Sequence, residues 1–421
     1  MLNWTSVSKR LVVLSIVAAV AMPTVSESAD WAQWRGPNRD GISSEQGLLQ
    51  RWPAGGPKLI WQVQGLGDGY GAPSVADGMI YIVVNKGLEQ ESVKALDVKD
   101  GSQRWSTPIG KVGEPNQRPN YPAARSTPTV VGDSVYALGS DGDLVCLESA
   151  SGKIRWQRSL RSDFGGSPGQ WAYAESPLVD DDLLIVAPGG EEAALVALNR
   201  DTGKPVWKAA VPGSKQAGYA SIVTGNAGDV KQYIAYLGLG LVGVEAATGK
   251  FLWLYDGTKG QANSATPLVS GDFVYSGAGR VGGGLVKLTS KSNEFEAEQL
   301  YFSPKLPNAQ GGSIKVGDYL YGGGRSTMMC IDFESGEVRW EERIPDSASM
   351  CFADNRLYLH LNNGDVMLVE SSPEAFREQG KFSPPNQPDR GKAKAWAYPV
   401  VANGRLYIRD LGSLWCYDLR R

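Results

Sequence analysis

The chain has 421 residues, 42% of them hydrophobic, which is ample for a sizeable core; its formal charge of -3, without a long basic run, argues against binding to a nucleic-acid backbone. One histidine, His360 in "RLYLHLNN", rules out a multi-histidine metal site or a kinase catalytic loop and reads as a strand residue. The 52 glycines are spread along the whole sequence, which predicts many turns rather than one disordered tract.

At the N-terminus, Lys9 and Arg10 precede the apolar run "LVVLSIVAAVAM" over residues 11–22 and then the small residues of "PTVSESAD". That is the pattern of an export signal, assigned here to residues 1–29, and the run is shorter than the roughly 20 apolar residues that span a bilayer. The expected product is an exported protein of the periplasm or exterior, with no transmembrane span in the mature chain. Residues 30–56 form an N-terminal extension opening "DWAQWRGPNRDGIS", in which Trp31 and Trp34 either plug a channel or cap a flank.

Residues 57–421 repeat one script. The phrase "ALNRDTGKPVW" (197–207) has echoes ending at Trp105, Trp156, Trp253 and Trp340. Before each echo stand three short alternating runs with hairpin turns between them, and proline opens the first run at Pro73, Pro128, Pro177, Pro267 and Pro399. Four strands per repeat at this period predict propeller blades. Five repeats place the tryptophan nine residues after a third-strand apolar residue: Leu96, Leu147, Leu198, Val244 and Ile331. Two others keep an aromatic thirteen residues on, Leu288 to Tyr301 and Val369 to Phe382, as if the turn had grown by four residues. The last repeat stops after three strands, and "PKLIWQV" (57–63), with Trp61, supplies its fourth. The expectation is an all-β, eight-bladed propeller closed by its own N-terminal strand, which leaves no free edge.

In such a ring Trp61, Trp105, Trp156, Trp207, Trp253 and Trp340 pack between neighbouring blades, each indole N–H on one backbone acceptor. Cys146, Cys330 and Cys416 stand where Ala95 and Ala197 stand in their repeats, and Cys351 lies in another register, so the four read as free, buried thiols.

Around the axis, two long connections lead into blades, "KVGEPNQRPNYPAAR" (111–125) and "RSDFGGSPGQWAYAE" (161–175). They present Arg125, Trp171, Tyr173 and Glu175, while equivalent entries present Tyr70, Tyr219, Asn263, Gln310 and Trp396. "VYSGAGR" and "LYGGGR" set Arg280 and Arg325 on corresponding loops of blades five and six. Aromatic faces, one carboxylate and several arginines suit a polar organic ligand or a peptide segment. Each has a plainer reading as well. Arg125 and Glu175 pair across blades, Trp171 and Trp396 pack between loops, and Arg280 and Arg325 are solvated tips. "GAGRVG" (277–282) matches a dinucleotide fingerprint but runs into a strand rather than a helix, so it reads as a hairpin. The clustered aspartates of "SDGDLV" and "VDDDLLIV" lack the frame of a calcium loop.

The A-x-D-x-x-T-G-K-x-x-W phrase resembles the tryptophan-docking repeat of pyrroloquinoline quinone (PQQ) propellers over about Lys58 to Arg421, and "DWAQWRGPNRDGIS" resembles the opening of exported PQQ-like proteins, some of them polyvinyl-alcohol-dehydrogenase-like. That superfamily includes quinoprotein alcohol dehydrogenases and the outer-membrane assembly propeller BamB, which lacks the cofactor. The resemblance implies PQQ with Ca²⁺ for a dehydrogenase, with Glu175 and Asn263 as the oxygen ligands. The chain lacks the adjacent-cysteine disulfide typical of that branch and the C-x-x-C-H haem motif. No catalytic residue carries over. The first reading is therefore a ligand- or protein-binding scaffold at the cell envelope, and the alternative is a quinoprotein dehydrogenase acting on alcohols or sugars.

Overall fold

A computed structural model describes residues 1–2, 30–114, 124–291 and 294–421. The proposed signal at 1–29 lies almost wholly outside these residues. The chain folds into eight four-stranded antiparallel sheets, seven of them built from consecutive strands. Blade 1 runs from Ser74–Ala76 to Gln103–Lys111 and blade 7 from Ala348–Ala353 to Glu378–Phe382. The eighth sheet takes Val400–Ala402, Arg405–Asp410 and Ser413–Asp418 from the C-terminus and Lys58–Val63 from the front, with Trp61 opposite Cys416. The ring is closed as expected. Each of the five prolines immediately precedes an innermost strand, where its missing N–H costs no ladder bond. One short helix, Leu160–Phe164, interrupts the second long connection, capped by the Ser159 side chain and by left-handed Gly165.

The repeated phrase locks blade to blade. Trp61, Trp105, Trp156 and Trp207 donate their indole N–H to Val98, Ser149, Arg200 and Ala246 carbonyls of the next blade at 3.0, 2.9, 2.8 and 3.1 Å. Each acceptor lies three residues before the turn glycine of that blade. These glycines, Gly101, Gly152, Gly203 and Gly249, have φ between 65° and 74°, and a Cβ on any of them would stand 2.5 to 3.0 Å from the incoming ring. The glycine thus supplies both the turn conformation and a flat seat for the indole. Within its own sheet each tryptophan faces a small residue: Ala95, Cys146, Ala197, Gly243, Cys330 or Cys416. The four cysteines are free and buried.

Four junctions depart from the rule; the mildest is Trp340, which still donates to Ser372 O of blade 7 at 2.8 Å but has no turn glycine beneath it among the described residues. Trp253 turns to Gln232 Oε1 of its own blade at 2.7 Å, because blade 5 offers no equivalent glycine turn. In blade 5 the extra residues lengthen the paired strands Gly282–Lys291 and Glu294–Ser303 rather than the turn, and Tyr301 replaces the indole, its hydroxyl donating to Phe333 O at 2.7 Å beside Gly336. In blade 7 the count fails. Phe382 pairs with Val366, and the docking position falls on Gly380, opposite Leu368. Trp52 of the N-terminal extension covers that glycine, whose added Cβ would lie 2.8 Å from the Trp52 Cβ. Its ring centroid stands 6.1 Å from Tyr358, matching the 6.1 Å of Trp340 from Tyr321 in blade 6. An indole from elsewhere in the chain fills the gap.

The rest of the extension crosses the axis. The Trp31 backbone pairs with Val75 of blade 1, and Ala32 O accepts from Val130 N of blade 2 at 2.8 Å. Trp34 Nε1 donates to Thr266 Oγ1 ahead of blade 5 at 2.9 Å, and Arg35 to Ser313 O of blade 6 at 2.6 Å. Arg39 reaches Ser176 O and Pro177 O at blade 3, at 2.8 and 3.1 Å, and Ile42 bridges Phe352 of blade 7. A segment that bonds to innermost strands on opposite sides of a ring lies through its centre. Trp31 and Trp34, 2% and 9% exposed, belong to a plug. Residues 43–56 then run over blades 7 and 8 to the closing strand, with Leu49 N on Leu419 O at 2.8 Å.

Candidate functional site

The plug leaves a blind cup of about 520 Å³ on the face where chains enter the innermost strands. Six aromatic side chains line it: Trp34, Tyr70, Trp171, Tyr219, Trp396 and Tyr398. They stand in stacked pairs, Tyr70 with Trp396 at 4.8 Å between centroids, Trp171 with Tyr219 at 5.4 Å and Trp34 edge-on to Tyr398 at 4.6 Å. Arg125, Arg280 and Arg325 complete the wall, and among the described residues no aspartate or glutamate lines it. Arg280 and Arg325 are exposed on their hairpin tips, Arg280 with φ 69°.

Backbone clamps hold the entries. The consecutive N–H groups of Tyr70 and Gly71 both donate to Ala124 O, at 3.0 and 2.9 Å, and those of Tyr219 and Ala220 both donate to Asn263 O at 3.0 Å. Buried Glu91 accepts from Ala124 N and Ser140 N, each at 2.6 Å, so it anchors the end of the long connection just before Arg125. Burial raises its pKa, against the pull of these bonds and of Arg125. Arg409, fully buried, donates to Gly71 O at 2.7 Å and Val83 O at 3.0 Å and so fixes the Tyr70 entry. His360, also fully buried on its strand, has Nδ1 2.9 Å from Ala397 O, and Ser349 Oγ donates to Trp396 O at 2.9 Å. Both hold the connection that carries Trp396.

Seven of the nine expected ligand-facing residues therefore meet in one cavity: Tyr70, Arg125, Trp171, Tyr219, Arg280, Arg325 and Trp396. Gln310 joins them. Glu175 and Asn263 do not. Glu175 Oε1 accepts from Ala187 N at 2.5 Å, and its charge partner is plug residue Arg39 rather than the expected Arg125. Burial pushes the Glu175 carboxyl up to about 7, Arg39 opposing, and burial likewise lowers Arg39 to about 9. Asn263 spends its amide on Leu237 O at 2.7 Å and its Oδ1 on Gly260 N at 2.8 Å. Both face the scaffold because the side chains nearest the inner strands are taken up by the plug and by loop closure. Trp34 and Tyr398 went unnoticed as cup residues. The first belongs to the extension, and the only signal for the second was its place just before Pro399.

These positions bear on the implied cofactor. Ca²⁺ takes six to eight oxygen ligands, commonly including carboxylates. Among the described residues the cup wall has no carboxylate, the two expected ligands are engaged elsewhere, and no group of three His, Cys, Asp or Glu side chains converges. The donor set does not fit a calcium ion. Flat aromatic faces with arginines do fit a planar, carboxylated quinone.

Comparison with known proteins gives the family. The sequence model described as outer membrane protein assembly factor BamB matches residues 42–170 and 89–342. The chain belongs to this family of PQQ-like repeat propellers. The BamB of Burkholderia pseudomallei is 25% identical over 266 residues, covering 58% of this chain and 60% of that protein. A polyvinylalcohol dehydrogenase of a Sphingopyxis species is 26% identical over 245 residues, 53% of this chain and 34% of the enzyme. The chain thus matches less than two thirds of the length of either relative. A quinohemoprotein alcohol dehydrogenase from Pseudomonas putida superposes with a TM-score of 0.62 over 93% of this chain and 80% of its own, at 14% identity, a likeness of fold. No helix among the described residues is long and apolar enough to cross a membrane.

Proposed function

We propose that this chain is a binding propeller of the cell envelope whose axial cup takes a small polar ligand or a segment of an envelope protein. One observation carries the reading. The cup gathers aromatic side chains and three arginines, with no histidine, cysteine or carboxylate among the described residues of its wall. The basic and apolar start of the sequence and the match to an outer-membrane assembly factor support the envelope placement. The test is capture from envelope extract with the full chain and with Trp396→Ala, analysed by mass spectrometry for proteins and small molecules. The reading requires a species retained by the native chain and lost from the variant; identical recoveries would overturn it.

The fit of the wall to a planar, carboxylated quinone and the likeness to a polyvinylalcohol dehydrogenase favour a second reading, a quinoprotein dehydrogenase. PQQ supplies two-electron oxidation when bound, and here the aromatic pairs would stack on it while Arg280 and Arg325 met its carboxylates. Titration with PQQ, with and without Ca²⁺, followed by dye reduction on an alcohol panel, separates the two readings. Dye reduction would make it an enzyme, whereas a spectral shift alone would leave it a binder.

A further inference from the structure

The junction between blades 7 and 8 is built differently from the others. Its indole comes from Trp52 of the extension, and among the described residues Trp52 Nε1 and the buried hydroxyls of Tyr358 and Tyr417, one on each blade, have no hydrogen-bond partner. Toward the axis the same junction is closed by polar groups. Blade 7 holds three consecutive residues of the connection that enters blade 8: Ala395 N donates to Asn362 O at 3.0 Å, Ser349 Oγ to Trp396 O at 2.9 Å, and His360 Nδ1 stands 2.9 Å from Ala397 O. From blade 8, buried Asp410 accepts through Oδ2 from Arg390 Nε of that connection at 2.7 Å. Arg390 in turn lies on the blade 7 hairpin, where a Cβ on Gly364 would stand 1.8 Å from its Nη2. A carbonyl only accepts, so Nδ1 carries the His360 proton and donates it, which leaves Nε2 bare. Nε2 and Asp410 Oδ1 both lack a hydrogen-bond partner among the described residues, and both side chains are shut off from solvent. Burial holds the imidazole below its ordinary pKa of 6.5. Asp410 of blade 8 and the Ala397 carbonyl favour a second proton, Arg390 of the connection opposes it, and Asp365 of the blade 7 hairpin favours it.

We propose that this junction is an acid-operated latch: neutral His360 holds the 395–397 segment against blade 7, and a proton on its Nε2, which has no partner in the closed junction, releases that segment and with it the Trp396 side of the cup. The inference goes beyond the binding reading and holds whatever the cup takes. A histidine kept neutral in the closed junction and free to protonate once it opens makes opening take up a proton. The closed form is then fully stable above the ordinary histidine pKa and loses stability as pH falls below it. Histidine occurs once in the chain, so no other junction carries such a latch.

The experiment is a nuclear magnetic resonance titration of the full, untagged chain labelled at histidine, with amide hydrogen exchange followed in parallel. One histidine gives one ring signal, so the decisive measurement needs no variant. The ring should report the Nδ1–H tautomer near neutral pH and a pKa below 6.5. Exchange of residues 391–398, corrected for the intrinsic rate, should speed up about tenfold between pH 7.5 and pH 5, while the corresponding connection before blade 5, residues 256–266, keeps its protection. His360→Asn, which keeps a donor for Ala397 O and cannot titrate, should abolish the change. A ring pKa at or above 6.5 would mean that Asp410 Oδ1 takes the new N–H and that acid tightens the junction, which overturns the proposal. An exchange change that survives in His360→Asn, or one shared by the blade 5 connection, overturns it as well.

Discussion

Two sets of aromatic side chains divide this molecule. Between the blades, four indoles lie on turn glycines and donate to a carbonyl three residues before that glycine. Around the axis, Trp34, Trp171 and Trp396 pair with Tyr398, Tyr219 and Tyr70 and line a cavity. The residue type is the same, and the difference is what remains for it to bind. A junction indole is packed between two blades, while a cup aromatic borders a cavity. Aromatic content alone therefore says little about function here. Phase within the repeat says more.

The contrast can be broken at several points, taken from the largest expected effect to the smallest. Trp207→Ala should destabilise the fold by about 3–5 kcal/mol in chemical denaturation, since it empties a junction. Gly203→Ala should cost roughly 1–3 kcal/mol, because its Cβ would stand 2.7 Å from Trp156 at a φ of 65°. Trp253→Phe should cost only about 1 kcal/mol, as the ring is kept and one hydrogen bond to Gln232 is lost. If it costs as much as Trp207→Ala, the carbonyl anchor is not what distinguishes the junctions.

Two predictions concern the axis. Burial raises the folded Glu175 pKa to about 7, above its ordinary value of 4.5. A carboxyl raised on folding favours the folded state fully below its unfolded pKa, and that contribution is lost as pH rises through the folded one. The melting temperature of Glu175→Gln relative to the native chain should therefore be higher at pH 8 than at pH 5; a difference independent of pH would show that Glu175 does not titrate in this window. Trp396→Ala, at the other extreme, should change stability by less than about 1 kcal/mol while removing the captured species. A large loss of stability there would move Trp396 from the cup set to the junction set.

The blade number, the closing strand and the six docking tryptophans were legible because a periodic sequence repeats its physical constraints, and each copy checks the others. The errors fell where the period was broken. Spacing alone assigned Phe382 to the docking position of blade 7, whereas pairing register puts Gly380 there and Trp52 over it. Likewise the thirteen-residue spacing at Tyr301 suggested a longer turn, and the chain instead extended both strands. Seven cup residues were found because entry loops share a place in every repeat. Glu175 and Asn263 share that place too, yet they point into the scaffold: Glu175 faces Arg39 of the non-repeating plug, and Asn263 closes its own connection through Gly260 and ties it to Leu237 of the neighbouring blade.

What the amino-acid order determined by itself was the ring: local turns, alternating strands and an indole at fixed phase all act within a repeat or between neighbours, and short-range rules suffice for them. What only the folded chain decided was the site. A non-repeating segment crosses the axis, touches six blades and brings Trp34 into the cup wall. Its partners lie up to 310 positions away along the chain, from Ile42 to Phe352, and no periodicity records contacts that occur once.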